Sequence, residues 1–191
     1  MADINVESRA GGAVRSLREQ VRGRVITTED EDYDEARAVH NGMFDRRPLA
    51  VLEAEQVGDV IAAVDLAREH GLDLSVRGGM HSGPGYGTND DGLVIDMSQM
   101  RTVRVDPGNK TAQAGAGATW GDFNYATHAF GLATTGGIIS TTGISGLTLG
   151  GGIGYLARGC GLTIDNLISA DLITADGKFL TASERENEDL F

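Results

Sequence analysis

Apolar residues recur along this chain at two different intervals. Residues 49–52, Leu-Ala-Val-Leu, form a short unbroken apolar run of the kind that makes a buried strand. Val57, Val60, Ile61, Val64 and Ala67 then repeat at helical spacing, and Gly71 ends that pattern. Residues 74–76 read as the next strand, which completes a β-α-β unit. A further strand is predicted over residues 93–97. Residues 102–105 and 111–114 flank the turn Asp106-Pro107-Gly108-Asn109 and predict a hairpin. Thr119 stands where a helix running through Ala129 would need its cap. Residues 170–175 and 179–181 flank Asp176-Gly177, a strong hairpin-turn signal. The last eight residues, 184–191, read as the first turns of a helix, so the chain is expected to be the front portion of a longer protein. Ahead of these elements, residues 1–44 read as a polar lead-in. It carries an acidic run of Glu29, Asp30, Glu31, Asp32, Asp34 and Glu35, expected to be a solvated loop or helix start.

Composition narrows the choice of partners. The formal net charge is -12 over 191 residues. A nucleic-acid backbone or an anionic lipid surface would be repelled by such a chain. The single cysteine, Cys160, rules out an intrachain disulfide and a cysteine zinc cage. No metal-ligand pattern is present. The first residues, Met-Ala-Asp-Ile-Asn-Val-Glu, lack a basic-then-apolar signal, and no apolar run approaches the ~20 residues of a membrane span. The expected location is the cytoplasm.

The chemistry-bearing feature is glycine, with 28 residues in the chain. Ten of them fall in residues 136–161, where Arg158 is the only charge. Ile138, Ile139, Ile144, Leu147, Leu149 and Ile153 lie between them, more apolar surface than a flexible linker carries, so this stretch reads as a buried ligand-contacting loop. The usual phosphate fingerprints are absent. Gly115-Ala116-Gly117 meets Trp120, and Gly152-Ile153-Gly154 meets Ala157, where a dinucleotide motif needs its third glycine. Gly177-Lys178 is followed by Phe179, so there is no Walker A loop; no G-x-S-x-G nucleophile elbow occurs either. Two loops remain, Arg77 to Gly83 after a strand, and Gly136 to Gly154. Two such loops suit a long ligand with a pyrophosphate and a ring system, because backbone N–H groups can converge where no side chain intervenes. A fold that is merely glycine-rich is the alternative at this level.

The order of three motifs is more specific. Val76-Arg77-Gly78-Gly79-Met80-His81-Ser82 resembles the first flavin loop of the vanillyl-alcohol-oxidase and p-cresol-methylhydroxylase type of FAD-binding domain. Residues 136–143 and 146–154, Gly-Gly-Ile-Ile-Ser-Thr-Thr-Gly and Gly-Leu-Thr-Leu-Gly-Gly-Gly-Ile-Gly, resemble its second flavin-contacting stretch. Gly161-Leu162-Thr163-Ile164-Asp165-Asn166-Leu167 resembles the segment that follows it. The match runs from about residue 45 to the end, and within the family it looks closest to berberine-bridge-enzyme-like bacterial oxidases.

That resemblance implies an α+β fold of two subdomains, here 45–105 and 106–191, with FAD between them and a substrate domain following. It implies cofactor contacts at Arg77, Gly78, Gly79, Met80, Ser82 and Gly83. In the second stretch it implies contacts at Gly136, Gly137, Thr141, Thr142, Gly143, Gly146, Gly150, Gly151, Gly152 and Gly154, with Asn166 and Ile173 beyond. It implies that His81 bonds covalently to the flavin ring. Cys160 does not match the cysteine of doubly linked relatives, so a single link through His81 is expected. His40, His70 and His128 read as surface residues. Met80 stands where the family usually has a glycine. The implied activity is oxidation of an alcohol, sugar or related small molecule by hydride transfer to FAD. Alternatives are a noncovalent flavin reductase of the same superfold and a flavin-binding module without turnover. No catalytic base is assigned, because relatives draw theirs largely from the substrate domain.

Overall fold

The computed structural model describes the backbone from residue 3 to residue 191 and the side chains from residue 11 onward. Its main sheet has four strands, β1 (Arg24–Thr27), β2 (Ala50–Glu53), β3 (Leu74–Arg77) and β4 (Leu93–Asp96), in the order β1-β2-β4-β3. β1 runs antiparallel to β2, and the other two pairings are parallel. All four positions of β4 are buried, as expected of a central strand covered on both faces. The β2–β3 crossover carries a helix, α3 (Val57–His70), which ends at Gly71. Gly71 takes φ +65 and donates its N–H to Ala67 O, a left-handed cap that glycine adopts without steric cost.

Residues 1–44 are more than a polar lead-in. They contain a helix, α1 (Asp3–Gln20), the edge strand β1 and a short turn of helix, α2 (Tyr33–Ala36). Ala13, Val14 and Leu17 pack into one core with Leu52, Ala63, Val64, Leu93 and Ile95. The apolar face is short, and Gly11-Gly12 interrupts it with poor helix formers, so the pattern is weak in sequence. Asp59 fastens this layer. It accepts from the backbone N–H groups of Arg22, Gly23 and Glu55, each at 3.0 Å. Burial pushes its carboxyl up, but those donors and the Gln56 amide outweigh burial and hold it below the ordinary carboxylate value. The acidic run is likewise engaged: Asp30 pairs with Arg18 at 2.7 Å and Asp32 with Arg24 at 2.6 Å.

The rest of the chain has smaller elements. β5 (Val103–Asp106) and β6 (Thr111–Ala114) form one hairpin, and β7 (Ser169–Ile173) and β8 (Phe179–Ser183) another. Between them lie α4 (Trp120–His128), α5 (Ile144–Leu149), α6 (Ala157–Cys160) and a single 3-10 turn at Ile164–Asn166. Thr119 caps α4 as expected, in a reciprocal box with Asp122. The expected C-terminal helix does not form. Residues 184–190 are turns about an isolated bridge between Ser183 and Glu186: Ser183 Oγ accepts from the N–H groups of Arg185 and Glu186, and Asn187 adopts φ +48 while its amide donates to Thr181 O.

Candidate functional site

The loop after β3 is fastened from below. Arg77 ends the strand with its side chain only 3% exposed. Its guanidinium lies 2.7 Å from Asp96 and donates to the carbonyls of Ala36 and Ala38. The expected contact residue Arg77 therefore spends its side chain on the scaffold. Gly78 and Gly79 follow, and both press against backbone. A Cβ on Gly78 would stand 2.8 Å from Ala116 O, and one on Gly79 would overlap the Gly143 nitrogen and stand 2.7 Å from Gly143 Cα. The first and second glycine loops thus touch main chain to main chain, a closeness that any side chain forbids.

Beyond that contact the loop turns outward. Met80 has φ +61, a left-handed conformation that costs a non-glycine residue roughly 1–2 kcal/mol. This explains why a glycine is common there and what Met80 must tolerate. Its carbonyl accepts from His40 N–H at 3.2 Å. His81 comes next, partly buried, with Nε2 2.9 Å from the Thr141 hydroxyl across the two loops. Burial, and to a smaller degree the charge of His40, holds the His81 imidazole below its ordinary value. The ring is therefore neutral at pH 7, the form in which a ring nitrogen is a nucleophile. Ser82 Oγ accepts from Tyr86 N–H, and Gly83 O accepts from the Asn41 amide.

None of the six backbone N–H groups from Gly78 to Gly83 donates to another described residue. A run of free amides beside a strand end suits the oxygens of a pyrophosphate. On another side of the same loop, a cleft of about 290 Å³ is lined by Asp32, Glu35, Glu53, Arg77, Met80, Asp96 and Ser98. Four carboxylates against one guanidinium disfavour an anion there, so the amide face is the one a phosphate would use.

The second stretch separates into parts. Thr141 and Gly143 join Gly78, Gly79 and His81, while Thr142 O accepts from Trp120 N–H. Gly136 and Gly137 press against the Trp120 ring, Gly154 packs on the Gly136 backbone, and Gly152 packs beside Thr163 and Leu147. Gly151 adopts φ +98. Gly146 and Gly150, in and just after α5, have a Cβ direction that is open or only lightly touched. Around them Ile139, Leu149, Ile153 and Tyr155 are exposed, an apolar rim of the kind a ring system covers. Asn166 is used internally, donating to the carbonyls of Cys160 and Leu162 at 2.8 Å each. Ile173, on β7, packs against the main core. Cys160 is exposed and free.

The comparisons with known proteins agree with this geometry. Residues 48–183 match the FAD binding domain family. The chain belongs to that family. FAD is its cofactor, held in a mixed α+β domain of the p-cresol-methylhydroxylase type. The chain is 38% identical over 176 residues to the uncharacterised FAD-linked oxidoreductase YgaK of Bacillus subtilis, covering 90% of this chain and 39% of that protein. Among solved structures, 6-hydroxy-D-nicotine oxidase from Arthrobacter nicotinovorans superposes with a TM-score of 0.87 at 35% identity, over 89% of this chain and 38% of the other. The berberine-bridge-enzyme-like protein 1 of Physcomitrella patens superposes with a TM-score of 0.88 at 30% identity, over 93% and 39%. This FAD-binding domain thus spans about two fifths of the length of the FAD-linked oxidoreductases it matches. No helix among its described residues is long and apolar enough to cross a membrane.

Sequence reasoning did not single out Asn41 and Phe44 and read His40 as a surface residue; His40 is exposed, as expected, yet all three lie against the first loop. His40 stacks on His81, Asn41 bonds Gly83, and the Phe44 ring fills the space beside Gly85. Nothing local marks them, because the contact is made only when residues 38–47 fold back over the loop.

Proposed function

We propose that this domain carries FAD bonded covalently to His81, through that single residue, and serves an enzyme that oxidises an alcohol, sugar or related small molecule. The observation that carries this reading is the setting of His81. Its neutral imidazole projects from a loop of free amides and is held by the hydroxyl of Thr141 on the facing loop. Bound FAD would supply the redox chemistry, taking a hydride from the substrate and passing electrons to an acceptor. The chain's own part is placement. The amides from Gly78 to Gly83 would hold the pyrophosphate, and the apolar rim at Ile139, Leu149, Ile153 and Tyr155 would exclude water from the ring system.

Acid precipitation of the flavin-loaded protein tests the link. The wild-type pellet should keep yellow fluorescence, the His81→Ala pellet should lose it, and Cys160→Ser should keep all of it. Wild-type flavin released to the supernatant would overturn covalent attachment and favour a noncovalent flavin reductase.

A further inference from the structure

His40 belongs to neither glycine loop, yet its imidazole lies flat on that of His81, with ring centroids 4.1 Å apart and planes 16° from parallel. The stack is held in place by backbone. His40 N–H donates to Met80 O, one residue before His81, at 3.2 Å, and Asn41 donates to Gly83 O, two residues after it, at 3.0 Å. The segment leading to His40 is tied to the foot of the same loop by Arg77, through the carbonyls of Ala36 and Ala38. On its edge the His81 ring meets Thr141 Oγ1 through Nε2. Face and edge are thus both fixed, and Nδ1 bonds no described residue.

We propose that His40 is a positioning residue for flavin attachment: it holds the His81 ring in one plane so that Nδ1, the nitrogen Thr141 does not hold, is the one that bonds. The proposal rests on the covalent reading given above. Attachment joins a ring nitrogen of His81 to the 8α carbon of FAD. The imidazole loses its N–H, the methyl carbon loses one C–H, and dioxygen, the oxidant, takes both hydrogens as hydrogen peroxide. Holding the nucleophile in a fixed plane removes orientational freedom that would otherwise be lost at the reacting step.

An imidazole at position 40 does more than a plain aromatic ring would. The groups facing His81 are His40, from residues 38–47, and the Thr141 hydroxyl, from the second loop; no carboxylate acts on it. Protonated His40 repels a proton on His81 and so extends the pH range in which His81 stays neutral. Without that charge, His81 protonates at higher pH, and attachment should fail at a pH where the wild type still succeeds.

The test uses the whole protein as its gene encodes it, purified with bound FAD and incubated in air at several pH values. Flavin released by acid is compared with total flavin over time. Wild type should be fully attached. His40→Ala should keep its total flavin but attach it about tenfold more slowly near pH 8, and more slowly still as the pH falls towards 6. His40→Phe keeps a flat ring and should attach faster than His40→Ala near pH 8, then slow as the pH falls towards 6. A His40→Ala variant attached as fast and as completely as wild type would overturn the role of His40 alone. Acid-released flavin in wild type would overturn attachment itself, and this inference with it.

Discussion

Gly79 and Gly143 form a contact between two loops in which neither residue has room for a side chain: a Cβ on either would come within 3.0 Å of the other's Cα. This contact sets His81 opposite Thr141. Gly79→Ala and Gly143→Ala should each lower the melting temperature and abolish flavin loading, because the clash is with backbone, which cannot rotate away. Gly146→Ala is the control. It meets nothing within 4 Å and lies in α5, so the fold should be retained. Thermal melts of the three variants decide; equal melting temperatures for Gly79→Ala and wild type would show that the loops separate at little cost.

Arg77 and Asp96 join β3 to β4 and to the segment after α2. Replacing Arg77 with Met leaves a buried carboxylate without its partner, which costs about 3–5 kcal/mol. Arg77→Lys should recover little, since one ammonium cannot reach Asp96 and two carbonyls with the geometry of a planar fork. Denaturant titration gives the stability, and absorbance of the purified protein gives the flavin content, which should fall in parallel.

Leu17 is fully buried against the sheet. Leu17→Ala should therefore destabilise the domain by about 2–5 kcal/mol. An effect below about 0.5 kcal/mol, the usual scale for an exposed position, would return the N-terminal segment to the status of a solvated lead-in.

Asp122 gives a pH signature. The Arg101 guanidinium beside it, together with the backbone and hydroxyl of Thr119, holds its carboxyl down at about 2 despite burial. The folded value lies below the unfolded one of about 3.9. The resulting stability is therefore present above pH ~4 and lost as the pH falls through ~2. Asp122→Asn should cost up to about 1 kcal/mol at pH 7 through the lost pairing of the carboxylate with Arg101. That gap should close between about pH 4 and pH 2 in urea melts.

The strands and helices of the middle of the chain were legible because their apolar spacing is regular: the predicted helix from Val57, the strands at Leu74 and Leu93 and both hairpins all stand within a few residues of their observed limits. The loop motifs were legible as motifs, but not the reasons for their glycines. Gly136 and Gly137 are small because Trp120 lies against them, and Gly78 because Ala116 does. Arg77 looked like a cofactor ligand because it opens the motif, whereas its partners lie far away in sequence. α1 was hidden by Gly11 and Gly12, and His40 by having only tertiary contacts. A reading along the chain sees local periodicity, whereas the contacts of Arg77 with Ala38, Asn41 with Gly83 and His81 with Thr141 join residues some 40 to 60 positions apart.

The separation of His81 from Thr141 has a consequence during synthesis. Thr141 is made 60 residues after His81, so at roughly 5–20 residues per second a ribosome takes about 3–12 s to supply it. His40, Asn41 and Phe44 have all been made before the first glycine loop. The nascent loop can thus be clasped along one side as soon as it emerges, while its facing wall does not yet exist. The contact between the two loops is completed late, and under the reading proposed above capture of FAD by both loops follows translation of the second.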